Sequence, residues 1–318
     1  MRVVFMGTPE FAVPSLRALA GAGHELVLVV TQPDRPRGRG RKKAPSPVKV
    51  AASQLGLPLS QPPTVKEPGF VELLQSLSPD VIVVVAFGQI LPPSILAIPP
   101  GGCINVHASL LPKYRGAAPI HWAVINGEEI TGVTTVYMDE GLDTGDIILQ
   151  EELRIGEGDN VGAVHDRLAA LGADLLIETL RLISEGRAPR RAQTGEPSYA
   201  PLLKAEDELI DWRKTAKEIY NHVRGMDPWP GARTFWRGKV LKIWRVSCLA
   251  GENASVPGTV LFAGEEGVGI ACGKGAVVLE EMQLEGGKRL AAADFLRGHR
   301  ITTGELLGHN GGGVPGVE

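Results

Sequence analysis

Residues Asp80–Ala86, DVIVVVA, form an almost unbroken apolar run of β-branched residues. A strand with one face in water alternates polar and apolar residues, whereas a parallel strand covered on both faces is apolar throughout. The run therefore predicts a buried strand inside a parallel sheet. A further strand is predicted at Cys103–His107, and two polar residues, Asn105 and His107, lie at its carboxyl end.

Strands and helices alternate on both sides of this run. Before it, strands are predicted at Val3–Met6 and Leu26–Thr31, with a helix over Pro9–Ala22 between them. After it, paired strands are predicted over residues 133–152, and a long helix over Val161–Ser184. This alternation predicts an α/β fold with a doubly wound, mostly parallel, Rossmann-like sheet.

A length of 318 residues suggests two domains. Residues 188–207 lie in a stretch rich in Arg, Pro, Gly and Ser without periodicity, which is typical of a linker. Short strands between glycine turns over residues 208–308 predict a smaller β-barrel of the OB-like type. We therefore expect a first domain over residues 1–187, the linker, the barrel, and a flexible tail over residues 309–318.

Composition excludes several classes of function. A net charge of −3 argues against a whole molecule that binds polyanions, and the three cysteines show neither metal-ligand nor disulfide spacing. Only one glycine, Gly7, follows the first strand, so the fingerprint of a nicotinamide-binding turn is missing. No signal peptide and no bilayer-spanning run is visible, which predicts a cytoplasmic protein, and we expect no bound metal.

The candidate chemistry lies at the end of the strand Cys103–His107. Asn105 and His107 are two residues apart, so both side chains point to the same face. Ligands bind such sheets beyond the carboxyl ends of the strands. Asp143, within the segment Gly141–Gly145, could return to orient or charge the histidine, giving a set for oxyanion stabilisation and proton transfer. The ordinary alternatives are a core histidine and a turn aspartate.

A strongly basic segment, DRPRGRGRKK, spans Asp34–Lys43. Its cations are Arg35, Arg37, Arg39, Arg41, Lys42 and Lys43. Glycines and prolines predict a loop, and the simplest interpretation is a solvated one, although a nucleic-acid backbone would balance the charge. Residues 212–245 add nine Lys and Arg against two acids, which favours the same kind of partner.

Longer motifs resemble a known family. The segment from Gly102 to Ile148, GCINVHASLLPKYRGAAPIHWAVINGEEITGVTTVYMDEGLDTGDII, resembles the formyltransferases that use 10-formyltetrahydrofolate. The resemblance extends to FMGTPEF, TQPDRPRGRGRKKAPSPVK, VVVAFGQILP, IDWRKTAKEI and DPWPGA, from residue 1 to about residue 300. Within the family, the chain is similar to the members that act on methionyl initiator tRNA, whereas glycinamide ribonucleotide formyltransferases resemble its first domain only.

The resemblance implies a role for each matching residue. Asn105, His107 and Asp143 match the family's catalytic residues, and the basic segment matches the insertion that approaches the tRNA acceptor stem. The residues that match the folate-contacting segments are Ser109, Leu110, Leu111, Pro112, Phe87, Gly88, Gln89, Ile90 and Leu91. The implied reaction is formyl transfer from 10-formyltetrahydrofolate to charged initiator methionyl-tRNA for translation initiation, without a metal.

Two other functions stay open at this point. A folate-dependent enzyme that formylates a small amine would need neither the basic segment nor a basic second domain. A non-catalytic RNA-binding protein on the same scaffold would not need the Asn105, His107 and Asp143 set. A tRNA partner and the lack of an obvious amphipathic surface helix lead us to expect a monomer.

Overall fold

The computed structural model describes residues 1–37, 42–251 and 254–308. The strands are β1 Arg2–Gly7, β2 Glu25–Val30, β3 Arg35–Arg37, β4 Lys42–Ala44, β5 Leu59–Ser60, β6 Val81–Val85, β7 Cys103–His107, β8 Arg115–Gly116, β9 Ile130–Tyr137, β10 Ile147–Arg154, β11 Tyr199–Ala200, β12 Ala232–Trp236, β13 Lys239–Leu249, β14 Val260–Gly264, β15 Gly267–Ala271, β16 Ala276–Leu284 and β17 Leu290–Ala291. The helices are α1 Val13–Gly21, α2 Pro47–Gln54, α3 Pro68–Leu77, α4 Pro93–Leu96, α5 Pro119–Ile125, α6 Val161–Ser184, α7 Ala216–Met226 and α8 Ala292–Gly298.

The chain divides into two compact units. Unit 1 contains Met1–Pro119, Ile130–Arg154 and His165–Pro201, and unit 2 contains Ile120–Glu129, Ile155–Val164 and the residues from Leu202 onwards. The predicted linker is therefore divided between them, because its residues up to Pro201 are counted with unit 1. The predicted tail, residues 309–318, lies outside the described residues.

Unit 1 is built on a seven-stranded sheet in the order β10-β9-β7-β6-β1-β2-β5. Its pairs are parallel except for β7 with β9 and β9 with β10. All five residues of β6 are buried, as their apolar sequence predicted for a strand covered on both faces. The mostly parallel sheet predicted from the sequence is confirmed.

The sheet changes direction beside β1. The chain passes from β1 to β2 and β5 on one side, and then returns to β6 and β7 on the other. In doubly wound sheets, such a switch point opens the crevice in which ligands bind. Here the loops after β1 and β6 are joined, because the Thr8 hydroxyl donates to the Phe87 carbonyl oxygen at 2.9 Å. The carboxyl end of β7, with Asn105 and His107, lies on the next strand.

Two segments differ from their sequence-based predictions. The ends of the basic segment are not loop, since Arg35 pairs with Ala44 and Arg37 with Lys42 across the antiparallel strands β3 and β4. The first part of the predicted linker is not a free connection, since β11 pairs with β8 and Arg191 forms a bridge to Ile147. The partners of the predicted linker lie far upstream in the chain, so no periodicity within the linker could reveal them.

Unit 2 contains an antiparallel sheet in the order β12-β13-β16-β15-β14, with β17 on β16. Helix α7 begins with a capping box, in which Thr215 Oγ1 accepts from Glu218 N at 3.2 Å and Glu218 Oε2 accepts from Thr215 N at 2.9 Å. Trp236 and Phe295 are among the buried side chains of its core. The predicted fold class, a doubly wound sheet followed by a smaller β domain, is confirmed.

Candidate active site

Strand β7 presents both candidate side chains at its carboxyl end. Asn105 lies between Val84 of β6 and Val136 of β9, and His107 lies opposite Thr134 of β9. His107 is buried and Asn105 is half-buried. Pairing with β6 as far as Asn105 and with β9 through His107 fixes the backbone of this strand, so that the amide and the imidazole emerge on one face, as their spacing predicted.

The two side chains converge on one carboxylate oxygen. Asn105 Nδ2 donates to Asp143 Oδ1 at 3.3 Å, and His107 Nδ1 lies 3.6 Å from the same oxygen. The other oxygen, Oδ2, accepts from the backbone N–H of Gly116 at 2.8 Å. The side chains of His107 and Asp143 are only 7% and 12% exposed, so the electrostatic interaction between them is poorly screened.

The second nitrogen of the His107 ring is also held. Nε2 lies 3.0 Å from the carbonyl oxygen of Tyr114. A carbonyl oxygen only accepts, so Nε2 carries the donated proton, and Nδ1 is the nitrogen that faces Asp143. The distance of 3.6 Å between Nδ1 and Oδ1 is longer than a hydrogen bond, which leaves this edge of the ring able to approach a reacting group.

The backbone of the site is strained at three residues. Asp143, Tyr114 and Ala86 have φ angles of 53°, 58° and 47°, in the left-handed region. For a residue with a Cβ, this conformation costs roughly 1–2 kcal/mol. Such a cost is retained only where surrounding contacts impose the conformation, and these residues lie in the loops around the candidate site.

One threonine holds the segment that follows the histidine. Thr134 Oγ1 donates to the Ser109 carbonyl oxygen at 2.7 Å and accepts from the Leu111 backbone N–H at 3.1 Å. Ser109 is fully buried, and its hydroxyl donates to the Lys113 carbonyl oxygen at 2.6 Å. Leu111 is buried as well, whereas Leu110 and Pro112 are half-buried.

The loop after β6 alternates between core and solvent. Phe87 and Leu91 are 2% and 4% exposed and belong to the hydrophobic core of unit 1. Gly88 is exposed with a φ of 85°, and the Ile90 side chain is 76% exposed. Gln89 is half-buried, and its Oε1 accepts from the Val65 N–H at 2.9 Å. Of the predicted folate-contacting side chains here, Ile90 is the one open to a ligand.

The basic segment is described only in part. Arg35 and Lys43 are exposed, Arg37 and Lys42 lie in the paired strands, and Arg39 and Arg41 fall outside the described residues.

Asp34, the one acid of the basic segment, is bonded to side chains outside that segment. Asp34 accepts from Gln61 Nε2 at 2.8 Å and from Lys49 Nζ at 2.8 and 2.9 Å. These hydrogen bonds, from Gln61 and then Lys49, lower the pKa of the Asp34 carboxyl. Because Asp34 is engaged by Lys49, it offsets little of the positive charge of the segment.

Five of the nine cations in the basic stretch of unit 2 form ion pairs inside the unit. Lys and Arg side chains over residues 212–245 form ion pairs with carboxylates that are mostly distant in sequence. The pairs are Arg213 with Asp211, Lys217 with Glu157, Arg233 with Glu208, Arg237 with Glu305, and Arg245 with Glu280 and Glu281. The count of cations in the sequence therefore overstates the positive charge that this stretch leaves without a carboxylate partner.

Several contacts of the site were not predicted from the sequence. The Tyr114 carbonyl oxygen accepts a hydrogen bond from His107, and the Gly116 N–H donates one to Asp143. Gln193 Nε2 donates to the Asp143 carbonyl oxygen at 2.7 Å and to that of Gly145 at 2.9 Å. Backbone partners carry no residue-type signal, and Gln193 lies in a stretch that resembled a linker.

Two buried thiols lie outside this site. Burial raises the pKa of the Cys103 thiol to about 12 and that of the Cys272 thiol to about 11, which makes both poor nucleophiles. Across residues 1–37, 42–251 and 254–308, no group of three or more His, Cys, Asp or Glu side chains is placed to hold a metal ion. In the same part of the chain, no helix has both the length and the apolar character needed to cross a bilayer.

Solved structures share this fold. The N-formyltransferase from Helicobacter canadensis, solved with folinic acid and dTDP-3-aminofucose, has a TM-score of 0.65 at 19% identity, over 88% of this chain and 99% of that chain. The methionyl-tRNA formyltransferase from Clostridium thermocellum has a TM-score of 0.54 at 17% identity, over 79% of this chain and 95% of that chain. At these identities, the likeness concerns the fold alone.

Sequence comparisons establish the family. A family model described as "Formyl transferase" matches residues 1–180, and one described as "Formyl transferase, C-terminal domain" matches residues 202–300. The methionyl-tRNA formyltransferase of Pelotomaculum thermopropionicum is 62% identical over 309 residues, 97% of this chain and 99% of that protein. That of Geotalea daltonii is 55% identical over 310 residues, 97% of this chain and 99% of that protein. The chain therefore belongs to the formyl transferase family.

Proposed function

We propose that this chain transfers the formyl group of 10-formyltetrahydrofolate to the free α-amino group of methionyl initiator tRNA. The observation that carries the proposal is the convergence of Asn105 and His107 on one oxygen of Asp143, at 3.3 and 3.6 Å. This set combines donors for a developing oxyanion with a carboxylate that can accept a proton, which formyl transfer to an amine requires.

Asn105 and His107 stabilise the negative charge that forms on the formyl oxygen when the amine attacks the formyl carbon. An amide nitrogen carries two hydrogens, and the bond to Asp143 uses one of them, so the other can be donated to this oxygen. His107 donates to this oxygen through Nδ1 in its imidazolium form, which carries a proton on both ring nitrogens, because its Nε2–H is bound to the Tyr114 carbonyl oxygen and the Asp143 carboxylate balances the charge. One such donor is typically worth about 3–4 kcal/mol of the activation barrier.

Asp143 moves the proton that the reaction must relocate. The new carbon–nitrogen bond leaves a positive charge on the attacking amine, and Asp143 Oδ1 accepts its proton. Cleavage of the bond between the formyl carbon and the folate nitrogen then requires a proton on that nitrogen, which Asp143 returns. Gly116 holds Oδ2 through its N–H at 2.8 Å, so Oδ1 stays directed at the reacting groups.

The substrates are assigned to separate elements of the chain. Ser109–Pro112 and the loop Phe87–Leu91 bind the folate, chiefly through backbone groups and the exposed Ile90 side chain. The basic segment with Arg35 and Lys43 contacts the tRNA acceptor stem, and residues 208–308 form the tRNA-binding domain. Backbone contacts suit the folate segments, because Phe87 and Leu91 are buried in the core and Thr134 fixes the carbonyl of Ser109.

The choice of acceptor is supported by the similarity to curated relatives. Proteins named methionyl-tRNA formyltransferase are similar at 51% to 62% identity over nearly the whole chain. A tRNA acceptor also gives the basic segment a polyanionic partner, which a small amine would not.

Label transfer tests the function. The chain is incubated with 10-formyltetrahydrofolate that carries an isotopic label in the formyl group, and with methionyl initiator tRNA. We expect labelled formylmethionyl-tRNA, and no transfer to free methionine, to uncharged tRNA or to a nucleotide-linked amino sugar. Transfer to the amino sugar alone would favour a small-amine enzyme, and tRNA binding without transfer would favour a non-catalytic RNA-binding protein.

The proposal places the chain in the cytoplasm and as a monomer. Initiator tRNA is charged and used where translation occurs, and one chain contributes all the side chains of the proposed catalytic set. Light scattering during size exclusion, with and without tRNA, tests the second point. A molar mass near 33.8 kDa without tRNA supports a monomer, and a value near twice that contradicts it.

A further inference from the structure

One side chain joins the loop of Asp143 to the rest of unit 1. Gln193 Nε2 donates to the carbonyl oxygens of Asp143 and Gly145 at 2.7 and 2.9 Å, so both hydrogens of this amide end on the same loop. Its Oε1 accepts from Arg115 Nη2 at 2.6 Å and from Nε at 3.2 Å. Both hydrogens and the oxygen of the Gln193 amide therefore take part in hydrogen bonds.

The partners fix how the amide is oriented. Guanidinium groups only donate and carbonyl oxygens only accept, so Oε1 must face Arg115 and Nε2 must face the loop. The opposite orientation would place an NH₂ group against the guanidinium and an oxygen against two carbonyl oxygens. Gln193 is therefore a directed bridge between Arg115 and the backbone on both sides of Thr144.

The backbone on either side of Arg115 already bonds to both His107 and Asp143. Tyr114 O receives His107 Nε2, and Gly116 N donates to Asp143 Oδ2. This strand is anchored in turn by Ser198, whose Oγ accepts from the Tyr114 N–H at 2.9 Å and whose carbonyl accepts from the Arg115 N–H at 2.8 Å. The stretch from Gln193 to Ser198 thus contacts the supports of His107 and of Asp143.

We propose that Gln193, anchored by Arg115, is a positioning residue that sets where the Asp143 carboxylate stands relative to His107 and Asn105. The inference rests on the proposed function for its effect on turnover. Asp143 needs such a support, because its φ of 53° is unfavourable for a residue with a Cβ and its side chain must meet two groups of β7. Gln193 touches neither substrate in this account and acts through Asp143.

The size of the effect follows from the precision that catalysis requires. A displacement of about 1 Å at a reacting group can cost about a hundredfold in rate. Loss of two hydrogen bonds to the backbone of the Asp143 loop allows movement of that order. We therefore expect Gln193→Glu to lower kcat by about 10- to 100-fold and to leave both KM values within about threefold of wild type.

Gln193→Glu is the sharpest variant because it preserves shape. The introduced carboxylate keeps the partner for Arg115 but cannot donate to the carbonyl oxygens of Asp143 and Gly145. Gln193→Ala tests the same loss without a new charge. Gln75→Glu, the same change at an exposed glutamine of α3, is the matched control and should leave kcat and both KM values unchanged.

A double-mutant cycle tests the chain of contacts. If Arg115 acts through Gln193, the variant that carries Arg115→Ala and Gln193→Ala loses no more kcat than Gln193→Ala alone. Fully additive losses would overturn this order of action.

Hydrogen exchange supplies a readout that does not depend on turnover. Backbone amides over Met138–Asp146 should exchange faster in Gln193→Glu than in wild type, while those of β1 and β6 stay protected. Should wild type transfer no formyl group, the proposed function fails and the exchange result alone decides whether Gln193 fixes the loop. Unchanged kcat together with unchanged exchange in Gln193→Glu would overturn the inference, and so would equal loss of protection throughout unit 1.

Discussion

The candidate active site of unit 1 and the basic stretch of unit 2 were both predicted from residues that cluster in the sequence. In unit 1, Asn105 and His107 emerge together and converge on Asp143, 38 and 36 residues further along the chain. In unit 2, five of the nine clustered cations are paired with carboxylates, such as Arg237 with Glu305. A cluster of residue types therefore predicts a functional site only when the backbone geometry directs the clustered side chains to one point.

The two predictions differ in outcome because one rests on strand geometry and the other on a count of charges. Alternate residues of a strand share a face whatever surrounds them, so the relation between Asn105 and His107 survives folding. A charge count has no such geometric basis, because any acid that folds against the cluster cancels it. Glu208, Glu280 and Glu305 do so in unit 2.

Removal of the histidine should have the largest effect. His107→Ala deletes one donor to the oxyanion and one partner of Asp143, so we expect kcat to fall by about 10²–10³. The affinity for methionyl-tRNA, measured by filter binding, should stay within about threefold of wild type. Turnover close to that of wild type would mean that the convergence at β7 is a structural contact only.

Thr134→Val tests whether the folate side of the site depends on this backbone support. The valine cannot bond to Ser109 or Leu111, which leaves buried backbone groups unpaired at a cost of about 1–3 kcal/mol of unfolding free energy. We expect the KM for 10-formyltetrahydrofolate to rise about tenfold, which corresponds to about 1.4 kcal/mol.

Thr135→Val is the control for that change. Thr135 is fully buried on the opposite face of β9 and bonds to Thr179 at 2.8 Å. Its loss should lower the unfolding free energy without a comparable rise in the KM for the folate. Equal rises in the KM for the folate in the two variants would contradict a specific role of the Ser109–Pro112 segment in folate binding.

Salt dependence compares the two basic regions directly. The salt dependence is the slope of log K for tRNA binding against the logarithm of the salt concentration. Neutralising Arg35 and Lys43 should reduce this slope by roughly 0.7–0.9 for each cation that contacts a phosphate. Replacing the pair Arg213→Gln and Asp211→Asn removes an ion pair of 2.8 Å and should leave the slope unchanged. A reduced slope for the unit 2 variant together with an unchanged slope for the Arg35 and Lys43 variant would make unit 2 the main electrostatic contact with the tRNA.

The smallest effect is expected for Glu305→Gln in unit 2. Burial acts in the opposite direction, but hydrogen bonds from Arg237, Thr302 and Trp236 lower the pKa of Glu305 from 4.5 to about 2. A lowered carboxyl pKa stabilises the folded state above the unfolded pKa, and this contribution is lost as the pH falls towards 2. At neutral pH, the variant should unfold about 1 kcal/mol more easily, because the partly exposed ion pair is screened.

The pH series checks the sign of that effect. The difference in unfolding free energy between wild type and Glu305→Gln should be constant from pH 7 to about pH 5 and shrink below it. A difference that grows as the pH falls would contradict the assigned role of Glu305.

The sequence predicted the central features of this fold because they follow from local periodicity. The apolar run at β6, the polar end of β7 and the helix Val161–Ser184 were all predicted at or within a residue of their observed bounds. The contact of Asp143 with His107 came from family resemblance, since spacing cannot bring residues 36 apart together. The support by Gln193 was not predicted, because its partners are backbone carbonyls roughly 50 residues upstream.

Asp143→Asn tests the central claim most directly. The amide keeps the size of the carboxylate but cannot accept the proton of the attacking amine, and its orientation between Asn105 and His107 changes. Single-turnover transfer of labelled formyl to methionyl initiator tRNA should slow by at least about a hundredfold, with tRNA binding and unit 1 stability close to wild type. A single-turnover rate within about threefold of wild type would contradict the assignment of this site as the centre of formyl transfer.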